Sequence, residues 1–373
     1  MDDRIQVTYR LTADDRMAAK ERARAIAVEQ TVEFPADLIT DEGIRDGIIG
    51  RPEFLAPAGP GAWEVVISYA AQTAGRCLPQ LLNLVFGNVS LQPGVRLQRL
   101  ELPDAGFEHL GGPRFGVEGL RFILGAPRRP LLATAVKPMG LSPVELAELA
   151  YRFALGGVDL IKDDHGLADQ PFCGFESRVR ACAAAVARAN RETGGDSRYV
   201  ANLVGPAETL MERARFAKKV GAGGLLIAPG LVGWDAMRAV AADARVGLPI
   251  LFHPALLGGF TVSPDSGIAH AVLYGTLARL AGADVVVFPN HGGRFSFSQG
   301  DCRRITRGCA APLGGRRTSF PAPAGGMTLD RLDEMREFYG DDMVLLIGGD
   351  LDRHGDLVET CRRFREMVES SPA

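Results

Sequence analysis

The sequence predicts an α/β protein in which a small N-terminal α+β domain of ferredoxin-like type, residues 1–125, precedes a (β/α)8 barrel over residues 126–373. Two observations predict it. From residue 131 onward a short apolar run followed by an amphipathic stretch recurs eight times, the pattern of parallel strands each followed by a helix. Before residue 125 the rhythm differs, with alternating rather than continuous apolar runs, as expected of strands with one face in water.

The N-terminal elements come in the order strand, helix, strand, helix, strand. IQVTYRL alternates as a strand, a helix is predicted near 15–33, WEVVISY is a central strand, CLPQLLNLVFG is helical and VRLQRLEL is a further strand. The stretch FLAPAGPGAW, rich in Pro and Gly, reads as a loop ahead of the central strand. The barrel strands are expected within 131–138, 158–164, 198–205, 223–230, 248–255, 283–290, 319–326 and 343–350. Between them lie helical patterns such as SPVELAELAYRFALGG and TLDRLDEMREFYG, with Ser142 and Thr328 placed as N-caps.

Composition excludes several classes of function. A chain of 373 residues with 46% hydrophobic residues and a net charge of −3 is a globular protein without the basic surplus of a nucleic-acid binder. MDDRIQVTYRL lacks the basic-then-apolar order of a signal peptide, and no apolar run reaches membrane-spanning length, so a cytoplasmic location is expected. The six cysteines contain no C-x-x-C pair and indicate buried thiols rather than a zinc or disulfide framework. Of 42 basic residues only five are lysines, at 20, 137, 162, 218 and 219, which draws attention to Lys137 and Lys162 at the ends of the first two barrel runs.

The second run, VDLIKDDHG, is buried in pattern until Lys162, Asp163 and Asp164, which therefore emerge at the strand's C-terminal end, where barrel enzymes keep their chemistry. A salt bridge between Lys162 and the aspartates is one reading of these residues. A cation site is the other.

The motifs AVKPMGLSP (135–143), GGVDLIKDDHGLADQPF (156–172), RETG (191–194), PAPAGGM (321–327) and FYGDDMVLLIGGDL (338–351), on a barrel behind a small α+β domain, resemble the large subunit of ribulose bisphosphate carboxylase, RuBisCO. The resemblance implies that Lys162 is carbamylated by CO2 and, with Asp164 and His165, holds Mg2+ or another divalent metal. An ammonium cannot ligate a cation, whereas a carbamate offers the hard oxygen that Mg2+ prefers. His165 stands where the carboxylases have glutamate, and imidazole suits softer ions. Lys137 matches the family's acid/base lysine, with a purely phosphate-binding role as the alternative. His253 matches a histidine that contacts substrate hydroxyls, and His291 is a weaker candidate in the loop after the sixth strand. The pairs Gly325–Gly326 and Gly348–Gly349 match a phosphate site built from backbone N–H groups. Trp63 and Asn88 match residues that complete the neighbouring subunit's active site, which implies a homodimer with shared sites.

Three departures argue against carbon fixation. The loop NHGGRFSFSQG has no lysine to meet incoming CO2, and Arg294 is no equivalent substitute. His253 is followed by Pro254 where the carboxylases place a phosphate-binding arginine, and Val287 takes the place of a second phosphate-binding histidine. One phosphate with an apolar far end is the implied ligand. The sequence thus looks most like the RuBisCO-like proteins, in particular the isomerases that enolise 5-methylthioribulose 1-phosphate in methionine salvage. Decarboxylation of a β-keto sugar-acid phosphate and a non-catalytic binding role are the alternatives.

Overall fold

The structure, a computed structural model, describes residues 4–103 and 105–370. The N-terminal sheet contains β1 (Arg4–Thr12), β2 (Arg51–Pro57), β3 (Ala62–Ala70) and β4 (Val95–Glu101), in the spatial order β4-β1-β3-β2. Helices Arg16–Glu29 and Leu78–Phe86 complete the ferredoxin-like arrangement. The β1–β3 pairing is antiparallel from Arg4↔Ala70 to Thr12↔Ala62, and Ile5, Val7, Tyr9 and Leu11 of β1 are wholly buried. Asp15 caps the first helix by accepting from Ala18 N at 2.8 Å.

Part of FLAPAGPGAW is not a loop. Phe54–Pro57 belong to β2, an edge strand that tolerates Pro52 and Pro57 because it pairs on one side only and shifts register between Pro52 and Phe54. The turn proper falls at Gly59–Gly61, both glycines at positive φ.

The barrel closes from β5 (Leu131–Val136), β6 (Leu160–Asp163), β7 (Arg198–Asn202), β8 (Gly224–Ile227), β9 (Ile250–Phe252), β11 (Val285–Pro289), β12 (Phe320–Ala324) and β13 (Val344–Leu346), in the circular order β11-β12-β13-β5-β6-β7-β8-β9. Each lies inside its predicted run. A two-residue strand, β10 (Gly267–Ile268), leaves the barrel after β9 and pairs in parallel with β4, so it ties the two parts together.

Alternate residues of each barrel strand point inward and fill the interior. Leu131, Leu160, Val200, Leu226, Leu251 and Phe320 make one packed cluster with Leu120 of helix Gly116–Ile123 and Leu124 just after it, which close the floor. Buried Asp284 fastens that floor by accepting from the amides of Phe115 and Gly116, both at 2.7 Å, and from Ile250 N at 2.9 Å. Burial pushes its carboxyl up to about 6, against those three hydrogen bonds.

Ser142 forms the predicted capping box with Glu145 at the start of helix Pro143–Leu155. Thr328 does not cap a helix: a short 3-10 turn, Leu329–Arg331, follows it, and the helix begins only at Leu332. Five cysteines are buried free thiols and Cys77 is exposed. Among the described residues no helix is long and apolar enough to cross a membrane.

Candidate active site

A cavity of about 910 Å³ opens at the C-terminal ends of the barrel strands. In register, Lys162 sits opposite Ala135 and Val200, on the inward face of β6, and its side chain is almost wholly buried. The three consecutive residues Lys162, Asp163 and Asp164 then part company. Asp163 faces outward, fully buried, and accepts from Tyr199 Oη at 2.6 Å, Arg178 Nε at 3.1 Å and Asn202 N at 3.0 Å. Asp164 and His165 face the cavity.

This geometry removes the salt-bridge reading. Lys162 Nζ donates to the carbonyl of its neighbour Asp163 at 2.9 Å and makes no ion pair among the described residues. The carboxylate that needs a buried cation takes it from Arg178 instead, 15 positions along the chain. Burial lowers the Lys162 ammonium to about 8, with Lys137 adding to the effect and Asp164 and Asp163 opposing it. Burial also resists ionisation of Asp164, but contact with His165 and the charges of Lys162 and Lys137 overcome it and hold that carboxyl well below the usual range.

His165 Nδ1 lies 3.5 Å from Asp164 Oδ1, and its ring stacks on His253 with centroids 4.6 Å apart and planes 12° from parallel. His253 Nδ1 accepts from Ala255 N at 3.2 Å, which leaves Nε2 as the protonated nitrogen of a neutral ring. Burial, then the charges of Lys162 and His165, push His253 down to about 3, so it meets a ligand as a neutral donor.

Lys137 reaches the other wall. A Cβ on Gly348 would come within 3.0 Å of Lys137 Nζ, so the ammonium lies directly over the glycine pair that follows β13. Gly325 and Gly326, at φ +81° and +73°, turn the chain after β12 as side-chain-bearing residues rarely do. Gly326 also allows the loop after β11 to lie on it: a Cβ there would sit 2.8 Å from Gly293 Cα. All four glycines line the cavity. Circling the mouth from this corner, Lys137 just after β5 and the Lys162–His165 group at the end of β6 come next. Asn202 and Ala228, at the ends of β7 and β8, carry no charge, and His253 just after β9 and Val287 on β11 complete the ring. Phe288, Phe295, Phe297 and Leu346 make much of the remaining wall apolar.

Three predicted residues are not brought into this cavity. His291 is buried against Phe338, centroids 4.7 Å apart, because the chain folds back at Asn290, whose side chain bonds to Tyr339. Trp63 Nε1 donates to Ala13 O at 3.2 Å, and Asn88 Nδ2 to Glu29 Oε1 at 2.9 Å, both on the N-terminal sheet domain. Conversely, sequence reasoning missed Asn202, whose Nδ2 holds the carbonyls of both His165 and Leu167 at 2.9 Å and so shapes the loop after β6. It also missed Arg353, which joins Arg294 in the cavity lining.

As a cation site the residues fit on one condition. Asp164 offers a hard oxygen and His165 a softer nitrogen, but Lys162 as an amine adds no anionic ligand, and no three His, Cys, Asp or Glu side chains among the described residues converge to hold a metal. A carbamate on Lys162 would supply the third donor.

Comparison with known proteins agrees with this architecture. The family described as ribulose bisphosphate carboxylase large chain, catalytic domain, matches residues 116–308. A 5-methylthioribulose-1-phosphate isomerase of Rhodospirillum rubrum is 44% identical over 352 residues, covering 94% of this chain and 92% of its own. A 2,3-diketo-5-methylthiopentyl-1-phosphate enolase of Bacillus pumilus is 34% identical over 375 residues, covering 98% and 92%. The crystal structure of a RuBisCO-like protein from Rhodopseudomonas palustris superposes with a TM-score of 0.89 at 41% identity, covering 100% of this chain and 99% of that one. The chain belongs to the ribulose bisphosphate carboxylase large-chain family, within its RuBisCO-like proteins.

Proposed function

We propose that this protein is an enolising isomerase of a phosphorylated ketose such as 5-methylthioribulose 1-phosphate, acting in methionine salvage without fixing CO2. The observation that carries the reading is the single glycine-built corner with Lys137 over it, facing a largely apolar wall across the Lys162–His165 group. Such a cavity suits one phosphate at one end and an uncharged tail at the other.

In this reading the glycine amides take the phosphate. His253 Nε2–H donates to a substrate hydroxyl, and the apolar wall excludes water from the reacting carbons. Lys162 as its carbamate, Asp164 and His165 would hold a divalent cation, which would polarise the carbonyl and make the C–H on the adjacent carbon more acidic. Lys137 carries the transferred proton. The hydroxyl-bearing carbons of a ketose phosphate must lie between Lys137 and His253 for both contacts to be made.

Trp63 and Asn88, outside this chain's own cavity, are proposed to complete the site of a second copy in a homodimer. The test is a panel of phosphorylated ketoses followed by NMR with divalent metal and bicarbonate present. Conversion of monophosphates with an apolar tail, and little added binding for ribulose 1,5-bisphosphate, is the expected outcome. Tight preference for the bisphosphate would overturn the reading.

A further inference from the structure

We propose that Leu256 is the residue that selects an apolar tail on the ligand of the barrel-mouth cavity, an inference that rests on the reading of that cavity as a sugar-monophosphate site. Leu256 follows His253 by three positions, in the turn after β9, and it lines the cavity. Two features set it apart. Its backbone stands at φ +68°, which among the described residues bearing a side chain only Glu33 shares as a positive value, and its side chain is 70% exposed.

The backbone conformation is one that suits glycine. Leu257 N donates to Pro254 O at 3.0 Å and closes a four-residue turn in which Leu256 takes the third place, where a positive φ favours Gly or Asn. A leucine there brings its Cβ close to its own backbone, at a free-energy cost that glycine avoids. The chain carries glycine at 258 and 259 but leucine at the position that strains it.

The surroundings hold the turn in place. His253 N donates to Ile227 O at 2.8 Å, Ala255 N donates to His253 Nδ1 at 3.2 Å, and Leu257 is wholly buried. The turn lies so close on Gly230 that a Cβ there would come within 3.0 Å of Leu257 Cδ2 and 2.6 Å of Ala255 O. Leu257 therefore anchors the turn in the core, and the same turn holds Leu256 out over the cavity. An exposed leucine gains little from folding, so the fold does not account for a side chain kept under strain. What it supplies is apolar surface beside the His253 ring, together with exposed Val262 and Phe295 of the same lining. A methylthio group on the carbon beyond the hydroxyl that meets His253 loses water against this surface. A hydroxyl or phosphate in its place gives up its water without gaining a partner.

The experiment is calorimetric titration of the full chain, with divalent metal and bicarbonate present, using 5-methylthioribitol 1-phosphate and ribitol 1-phosphate. Both lack the carbonyl, so neither is turned over. The wild-type chain should prefer the methylthio compound, and Leu256→Gly should cut that preference by about fivefold or more while binding ribitol 1-phosphate within about twofold of wild type. Leu256→Asn, which tolerates the turn but is polar, should do the same, and Leu256→Met should keep the preference. The Gly and Asn variants should unfold within about 2 °C of wild type, since they relieve the backbone and remove little buried surface. No preference in the wild-type chain would overturn the proposed function and this inference together. A preference that survives Leu256→Gly, an equal loss of both ligands, or a shift of oligomeric state in sedimentation, which would mark Leu256 as a contact between copies, would overturn the inference alone.

Discussion

Replacing Arg178 by methionine separates the structural from the chemical half of KDDHG. Arg178 and Asp163 are both fully buried and 3.1 Å apart, so Arg178→Met keeps the volume and strands a carboxylate whose other donors are Tyr199 and Asn202. Removing one partner of a buried pair costs about 3–5 kcal/mol. At roughly 2.1 cal/mol/K per residue, the 373-residue chain unfolds with an entropy of about 0.8 kcal/mol/K, so Tm should fall by about 4–6 °C. The neighbouring substitution Asp164→Asn touches a partly exposed carboxylate whose nearest partner, His165, is itself exposed to solvent, and should shift Tm by under about 2 °C while removing turnover. Differential scanning calorimetry on both variants decides the matter. A drop under 2 °C for Arg178→Met, or equal drops for the two, would refute the division of labour between Asp163 and Asp164.

Further outcomes follow from the same geometry. Lys162→Ala and Lys162→Arg should both lose turnover while folding normally, because neither can form a carbamate; activity in Lys162→Arg, or in wild type after exhaustive removal of CO2 and metal, would count against the cation site. Mixing Asn88→Ala chains with Lys162→Ala chains should restore activity at one hybrid site per dimer, measured after proven subunit exchange; no recovery would mean each chain makes its own site. His270 is pushed down to about 4 by burial, with Arg96 and Arg304 adding to the effect and Asp301 opposing it. Because the unfolded chain takes up that proton near pH 6.5, stability should be lost as pH falls from about 6.5 towards 4, by up to about 3 kcal/mol, and urea denaturation of His270→Gln should show a shallower fall.

The barrel was legible because a parallel strand buried on both faces leaves a continuous apolar run, and VDLI, GGLLI and ADVVVF are such runs. Edge strand β2 was hidden by its prolines, which are tolerated only because one side of it is unpaired. The two-residue β10 has no periodicity to detect. At the site, Lys137, Lys162, Asp164, His165, His253 and the glycine pairs all reach one cavity, since residues at strand ends must converge on a barrel mouth. The resemblance alone separated Asp164 from Asp163: alternation sends neighbours to opposite faces, but Asp163's partners Arg178 and Tyr199 lie 15 and 36 positions away, so its structural role had no local signal. A loop residue such as His291 has no periodicity to say which way its ring turns, and here the ring packs on Phe338, outside the cavity lining.

The most direct test of enolisation is turnover of 5-methylthioribulose 1-phosphate in deuterium oxide, with divalent metal and bicarbonate present, followed by NMR of the product. The account predicts an isomeric monophosphate carrying deuterium at the carbon reprotonated after enolisation, with no CO2 released or consumed, and with the signal absent in Lys137→Ala. No conversion of this substrate, or conversion that leaves the product free of deuterium, would contradict it.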